Sequence, residues 1–204
     1  MQGGDEHQSR LVTLPNAISL VRLAGAPTFV WLLVDDHRLA AALLLAILGA
    51  SDWVDGWIAR HFDQGSELGK VLDPVADRVL LLTGGVALLI DGSVPVVVGV
   101  AILAREALVS LAVLMLAAAG ARRIDVQWAG KAGTLAVMFA LPLFLLADSI
   151  RTGHDVALGF AWFFTVSGLA FGYYATVTYV PLARRALQEG RDGRSASQAE
   201  SWAG

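Results

Sequence analysis

The stretch Asp52–Leu80, DWVDGWIARHFDQGSELGKVLDPVADRVL, decides how this chain is read. Apolar runs flank it on both sides, yet it carries the aspartates Asp52, Asp55, Asp73 and Asp77. The flanks predict two membrane helices joined by a polar turn, with the carboxylates inside the helices. An ionisable residue within a span costs at least ~2.5–3.5 kcal/mol on insertion scales. Carboxylates this close together need cations or shared protons to offset them, which marks the stretch as the working site.

The rest of the sequence supports a membrane reading. The chain has 204 residues, 56% of them hydrophobic, and a mean hydropathy of +0.61. Several runs reach the ~20 residues needed to cross ~30 Å of hydrocarbon. The expectation is an all-α integral membrane protein, a six-transmembrane-helix bundle with helices at Pro15–Val34, Leu39–Ile58, Leu68–Ile90, Val94–Ala119, Ala129–Ala147 and Val156–Leu182. Connectors such as DDHR at 35–38 and DGS at 91–93 are short and polar, so residues 1–187 read as one bundle domain. The polar tail Gln188–Gly204 is expected to be disordered. No internal repeat is visible. Absence of cysteine excludes disulfides and thiolate metal sites. Met1–Arg10 is polar and acidic, and the first apolar run is long enough to remain as a span, so no cleavable signal is expected. The net charge of −3 says little in such a chain; the placement of charge says more.

Basic residues in alternate connectors set the orientation. Arg10, Arg60, Lys70, Arg122, Arg123, Lys131, Arg184, Arg185, Arg191 and Arg194 fall on one side, against Arg38 and Arg151 on the other, while Arg22, Arg78 and Arg105 lie within spans. This predicts a multi-pass cell-membrane protein whose termini and aspartate site face the cytoplasm.

If the second and third helices form an antiparallel hairpin turning near Gln64 and Gly65, Asp52 faces Asp77 and Asp55 faces Asp73. Each pair, spaced i, i+3 or i, i+4, lies along one helix face. Gly56, Ala59 and Gly69 leave room for close helix approach or a ligand. Oxygen ligands without His or Cys favour magnesium, manganese or calcium. Two such ions bridged by aspartates would suit displacement at phosphorus, with Arg60 holding a phosphate. From the carboxylates alone, a proton or ion relay in a transporter stays open, as does Asp-Gly as a plain turn signal.

The complete pattern is more specific. Asp52-x-x-Asp55-Gly56-x-x-Ala59-Arg60, then eight residues, then Gly69-x-x-x-Asp73-x-x-x-Asp77 resembles the CDP-alcohol phosphotransferase signature at every fixed position. The opening LPNAISLVRLAGAP looks like that of the phosphatidylglycerophosphate and cardiolipin synthase branches. The resemblance implies a six-helix membrane enzyme that transfers phosphatidyl from CDP-diacylglycerol to an alcohol and releases CMP. It implies that Asp52, Asp55 and Asp73 ligate two divalent cations, Mg or Mn, and that Asp77 touches the second metal and takes the proton of the attacking hydroxyl. It also implies CDP contacts at Gly56, Ala59, Arg60 and Gly69, and a homodimer. Ser66 reads as a CDP contact or as an N-cap, and Arg78 as a snorkelling or pairing cation.

For the acceptor, Arg105 and Glu106 read as a buried tie or as part of an acceptor pocket. Arg122, Arg123 and Lys131 read as acceptor-binding cations or as ordinary positive-inside charge. Where phosphatidylglycerophosphate synthases usually carry Gly-Lys-x-Lys-Thr, this chain has Gly130-Lys131-Ala132-Gly133-Thr134. The missing lysine favours phosphatidylglycerol over glycerol 3-phosphate as the glycerol-type acceptor, with inositol phosphate, serine and choline-type acceptors behind. It also predicts that Gly133→Lys gains turnover of glycerol 3-phosphate. The expected partners are CDP-diacylglycerol, the acceptor and membrane lipids, with no nucleic acid.

Overall fold

Helices make up nearly all of the described chain: α1 (Leu14–Val34), α2 (Arg38–Phe62), α3 (Gly69–Asp91), α4 (Val96–Ala118), α5 (Trp128–Ser149) and α6 (His154–Val177). The computed structural model describes residues 14–62, 69–118 and 128–177, and side chains over 16–51, 72–73, 75–111 and 128–177. No strand occurs among the described residues. Among the described residues three helices, α1, α5 and α6, are long and apolar enough to cross a membrane. In α2 the apolar part is the shorter Arg38–Ser51, because the aspartates begin immediately afterwards.

The helices follow the expected order with shifted ends. α2 continues past the expected stop at Ile58 to Phe62, since Ala59 and Arg60 are strong helix formers and no breaker follows them. α4 starts at Val96 rather than Val94. Gly92, at φ 86°, turns the chain at the end of α3. Pro95 then opens the next helix, its carbonyl accepting from the Val98 and Gly99 amides at 2.9 and 3.0 Å. α6 begins at His154 rather than Val156; its expected end at Leu182 lies outside the described residues, as does the tail 188–204.

The chain divides into two units, whose described residues fall within Met1–Gly99 with Met138–Phe164, and within Val100–Val137 with Thr165–Gly204. In the first, α1 buries a single face: Asn16, Ser19, Arg22, Ala26, Phe29 and Leu33 recur every three or four residues. That face is polar in its first two turns and apolar beyond. Leu20, Val21, Trp31 and Val34 point outward, which is unfavourable in water and neutral in lipid. Leu48 of α2 lies against Gly25 of α1 and Leu45 of α2 against Gly84 of α3, and Leu80, Leu81 and Leu88 of α3 are buried as well. At the other end of α2, Arg38 donates to Asp91 at 2.8 Å and to Ser93 at 3.3 Å, and also pairs with Asp148. This clasp ties the start of α2 to the ends of α3 and α5.

In the second unit, α5 and α6 meet through glycines. A Cβ at Gly133 would stand 2.9 Å from both the Gly168 carbonyl oxygen and the Gly172 nitrogen. Small residues let membrane helices approach until their backbones touch.

Candidate active site

Asp73 and Asp77, one turn apart on α3, are both half-buried, and α1 supplies a partner to each. Ser19 of α1 donates to Asp73 Oδ1, and Arg22 of α1 pairs through Nη1 with Asp77 Oδ1. The contacts Ser19–Asp73 and Arg22–Asp77 advance together, so α1 and α3 run parallel at the site. From α2, the Ser51 hydroxyl accepts from both Nε and Nη2 of Arg22 at 3.3 Å. One guanidinium is therefore bracketed by residue 51 of α2 and residue 77 of α3. That supports the predicted hairpin register, in which the next residue, Asp52, lies level with Asp77.

Asp52, Asp55, Gly56, Ala59 and Arg60 lie on α2, and Gly69 opens α3. Their side chains are outside the described residues, and so are Ser66, Arg122 and Arg123 entirely. Among the described residues, which include the side chains of Asp73 and Asp77 and not those of Asp52 or Asp55, no group of three or more His, Cys, Asp or Glu gathers where it could hold a metal ion. The donor chemistry fits a hard divalent cation. Asp73 and Asp77 offer carboxylate oxygens on one helix face, the fixed positions of the motif include no cysteine or histidine, and Ser19 orients the first of them as an outer hydrogen-bond partner orients a ligand.

Arg105 and Lys131 belong to the second unit. Arg105, 3% exposed, donates through Nη1 to Glu106 at 2.9 Å and Thr134 at 3.0 Å, and through Nη2 to the Gly130 carbonyl at 3.2 Å. These bonds make it a tie between α4 and the first turns of α5. Its Nε is buried without a hydrogen-bond partner and faces Gly172, where a Cβ would stand 2.5 Å away. Lys131, on the turn that Arg105 holds, is exposed.

Gly133 corrects one expectation. A lysine there has no path outward, because its Cβ would already meet the α6 backbone. The glycine is required by helix contact, and the predicted gain of function in Gly133→Lys is withdrawn.

Sequence reasoning passed over Ser19 and Arg22. The signal was present: Asn16, Ser19 and Arg22, polar at three-residue intervals in an apolar helix, share one buried face.

The chain belongs to the CDP-alcohol phosphatidyltransferase family, whose model matches residues 12–173. It is thus a phosphatidyltransferase by class, with the apolar helices of a membrane protein. The cardiolipin synthase (CMP-forming) of Streptomyces coelicolor is 37% identical to it over 185 residues, covering 88% of this chain and 86% of that protein. The CDP-diacylglycerol–glycerol-3-phosphate 3-phosphatidyltransferase of Shigella flexneri is 31% identical over 180 residues, 85% of this chain and 96% of that one.

Proposed function

We propose that this protein transfers phosphatidyl from CDP-diacylglycerol to phosphatidylglycerol, forming cardiolipin and CMP, with glycerol 3-phosphate as the second-ranked acceptor. The observation that carries the reading is that α1 holds Asp73 through Ser19 and, through Arg22, joins Asp77 to Ser51, the neighbour of Asp52. The Streptomyces relative, named for CMP-forming cardiolipin synthesis and similar over most of both chains, supports the choice of acceptor.

In this reading Asp52, Asp55 and Asp73 hold two divalent cations, with Asp77 touching the second. Bound there, the cations would neutralise charge on the CDP pyrophosphate. Gly56, Ala59 and Gly69 leave room for the nucleotide, and Arg60 and Ser66 contact it. The acceptor hydroxyl oxygen bonds to the phosphatidyl phosphorus as the bond from that phosphorus to the CMP oxygen breaks. Asp77 takes the hydroxyl proton, and CMP leaves with the electron pair. Lys131, with Arg122 and Arg123, receives the acceptor phosphate, while Arg105 holds the turn that presents Lys131. The six helices all span the membrane, the site and both termini face the cytoplasm as the basic residues indicate, and the protein works as a homodimer.

Asp77→Asn is expected to lower kcat by ~10²-fold or more, the size of general-base help, while CDP-diacylglycerol binding survives. A loss of binding as complete as that of Asp55→Asn would make Asp77 chiefly a metal ligand. The acceptor is tested by offering phosphatidylglycerol and glycerol 3-phosphate separately and identifying the lipid product by mass. Phosphatidylglycerol arrives with its acyl chains already in the bilayer and tolerates a single lysine. Glycerol 3-phosphate depends on charge-assisted contacts worth roughly 1.5–3 kcal/mol each. Cardiolipin is the expected product; phosphatidylglycerophosphate with phosphatidylglycerol inert would reverse the ranking.

A further inference from the structure

We infer that Arg22 is a positioning residue that aims Asp77, so that α1, outside the aspartate motif, governs the chemical step; this rests on the phosphatidyltransferase reading above. Arg22 is 0% exposed, and burying a guanidinium costs several kcal/mol before its partners offset it. An apolar side chain would hold three helices together at lower cost, so the placement of this charge calls for a reason in the site.

The hydrogen bonds supply one. The Ser51 hydroxyl donates to the Leu48 carbonyl at 2.7 Å, which commits its proton and leaves its lone pairs to face Arg22. Nε and Nη2 of Arg22 both settle on that oxygen at 3.3 Å, fixing the plane of the guanidinium. With the plane fixed, Nη1 meets Asp77 Oδ1 from one direction. The relay Leu48–Ser51–Arg22–Asp77 thus fixes the carboxylate orientation from the backbone of α2. A base displaced by ~1 Å can lose ~10²-fold in rate. Lysine carries a point charge without the planar fork, so it can meet Asp77 and leave Ser51 unused.

The test uses the full-length protein in detergent micelles with CDP-diacylglycerol, phosphatidylglycerol and magnesium, measuring kcat and KM from CMP release. Arg22→Lys is expected to lower kcat by ~10–100-fold, the range for removing a partner that orients a functional group, with KM for CDP-diacylglycerol within about twofold. Ser51→Ala, a change too small to unfold the chain, is expected to lower kcat by about 3–10-fold, because the guanidinium loses its anchor. In an Asp77→Asn background, adding either Ser51→Ala or Arg22→Gln should lower kcat by less than about twofold further, since a residue acting through Asp77 has nothing left to aim. Arg22→Gln with Asp77→Asn also removes both charges of the pair together, so neither is left buried without the other. Undiminished kcat in Arg22→Lys and Ser51→Ala, or losses that multiply with that of Asp77→Asn, would overturn the inference. Failure of the unaltered protein to release CMP would overturn the parent reading as well.

Discussion

Asp52→Asn, Asp55→Asn and Asp73→Asn are each expected to abolish turnover and to weaken divalent-ion binding. An amide is an uncharged, poorer ligand for a hard cation. Metal stabilisation of a phosphoryl transition state is worth several kcal/mol, so losing a ligand should cost ~10³-fold or more in rate. Asp73→Asn adds a local effect, because Ser19, 0% exposed, then donates to a neutral amide oxygen in place of a carboxylate. The measurement pairs CMP release with Mn2+ binding followed by electron paramagnetic resonance on the same purified variants. Full activity of any of the three in the presence of a chelator would end the two-metal reading.

The other large effect is structural. Gly133→Lys is expected to lose folded protein, without any gain of glycerol 3-phosphate turnover. Its Cβ would stand 2.9 Å from two backbone atoms of α6, and backbone moves only if the helix moves. Overpacking of this kind costs typically ~1–3 kcal/mol and occasionally more, which for a chain of this size lowers the midpoint of thermal unfolding by roughly 6–12 °C at the upper value. Arg105 shares the damage, since its guanidinium lies against Gly172 on the same face of α6. Thermal unfolding of the purified variant checks this. An unchanged midpoint together with new glycerol 3-phosphate turnover would restore the gain of function expected of Gly133→Lys.

The shared helix face of Asp73 and Asp77 was legible because their i, i+4 spacing is local. The hairpin count that set Asp52 opposite Asp77 is supported by Ser51, one residue away, reaching the same guanidinium as Asp77. Ser19 and Arg22 were harder to read because the aspartates they hold lie more than fifty residues along the chain, and a single arginine in a span is equally consistent with snorkelling. What distinguished them was the three-residue recurrence of polar side chains from Asn16. Gly133 was misread for a different reason. Comparison with a lysine-bearing motif asked what the position lacked in charge, whereas packing asked what it lacked in volume. Gly168 and Gly172, four residues apart on α6, carried that signal as a small-xxx-small pair. Helix ends shifted by only a few residues, mostly at the polar connectors, where propensity and not apolar patterning sets the stop.

The central claim is that the aspartates of α2 and α3 serve metal-dependent phosphatidyl transfer. It is tested most directly by incubating the purified protein in micelles with CDP-diacylglycerol and phosphatidylglycerol, and measuring CMP with and without magnesium. The account predicts CMP and cardiolipin in equal amounts, formed only when magnesium is present and absent in Asp55→Asn. No CMP from any alcohol acceptor under conditions where the protein is folded and binds divalent ions would contradict it.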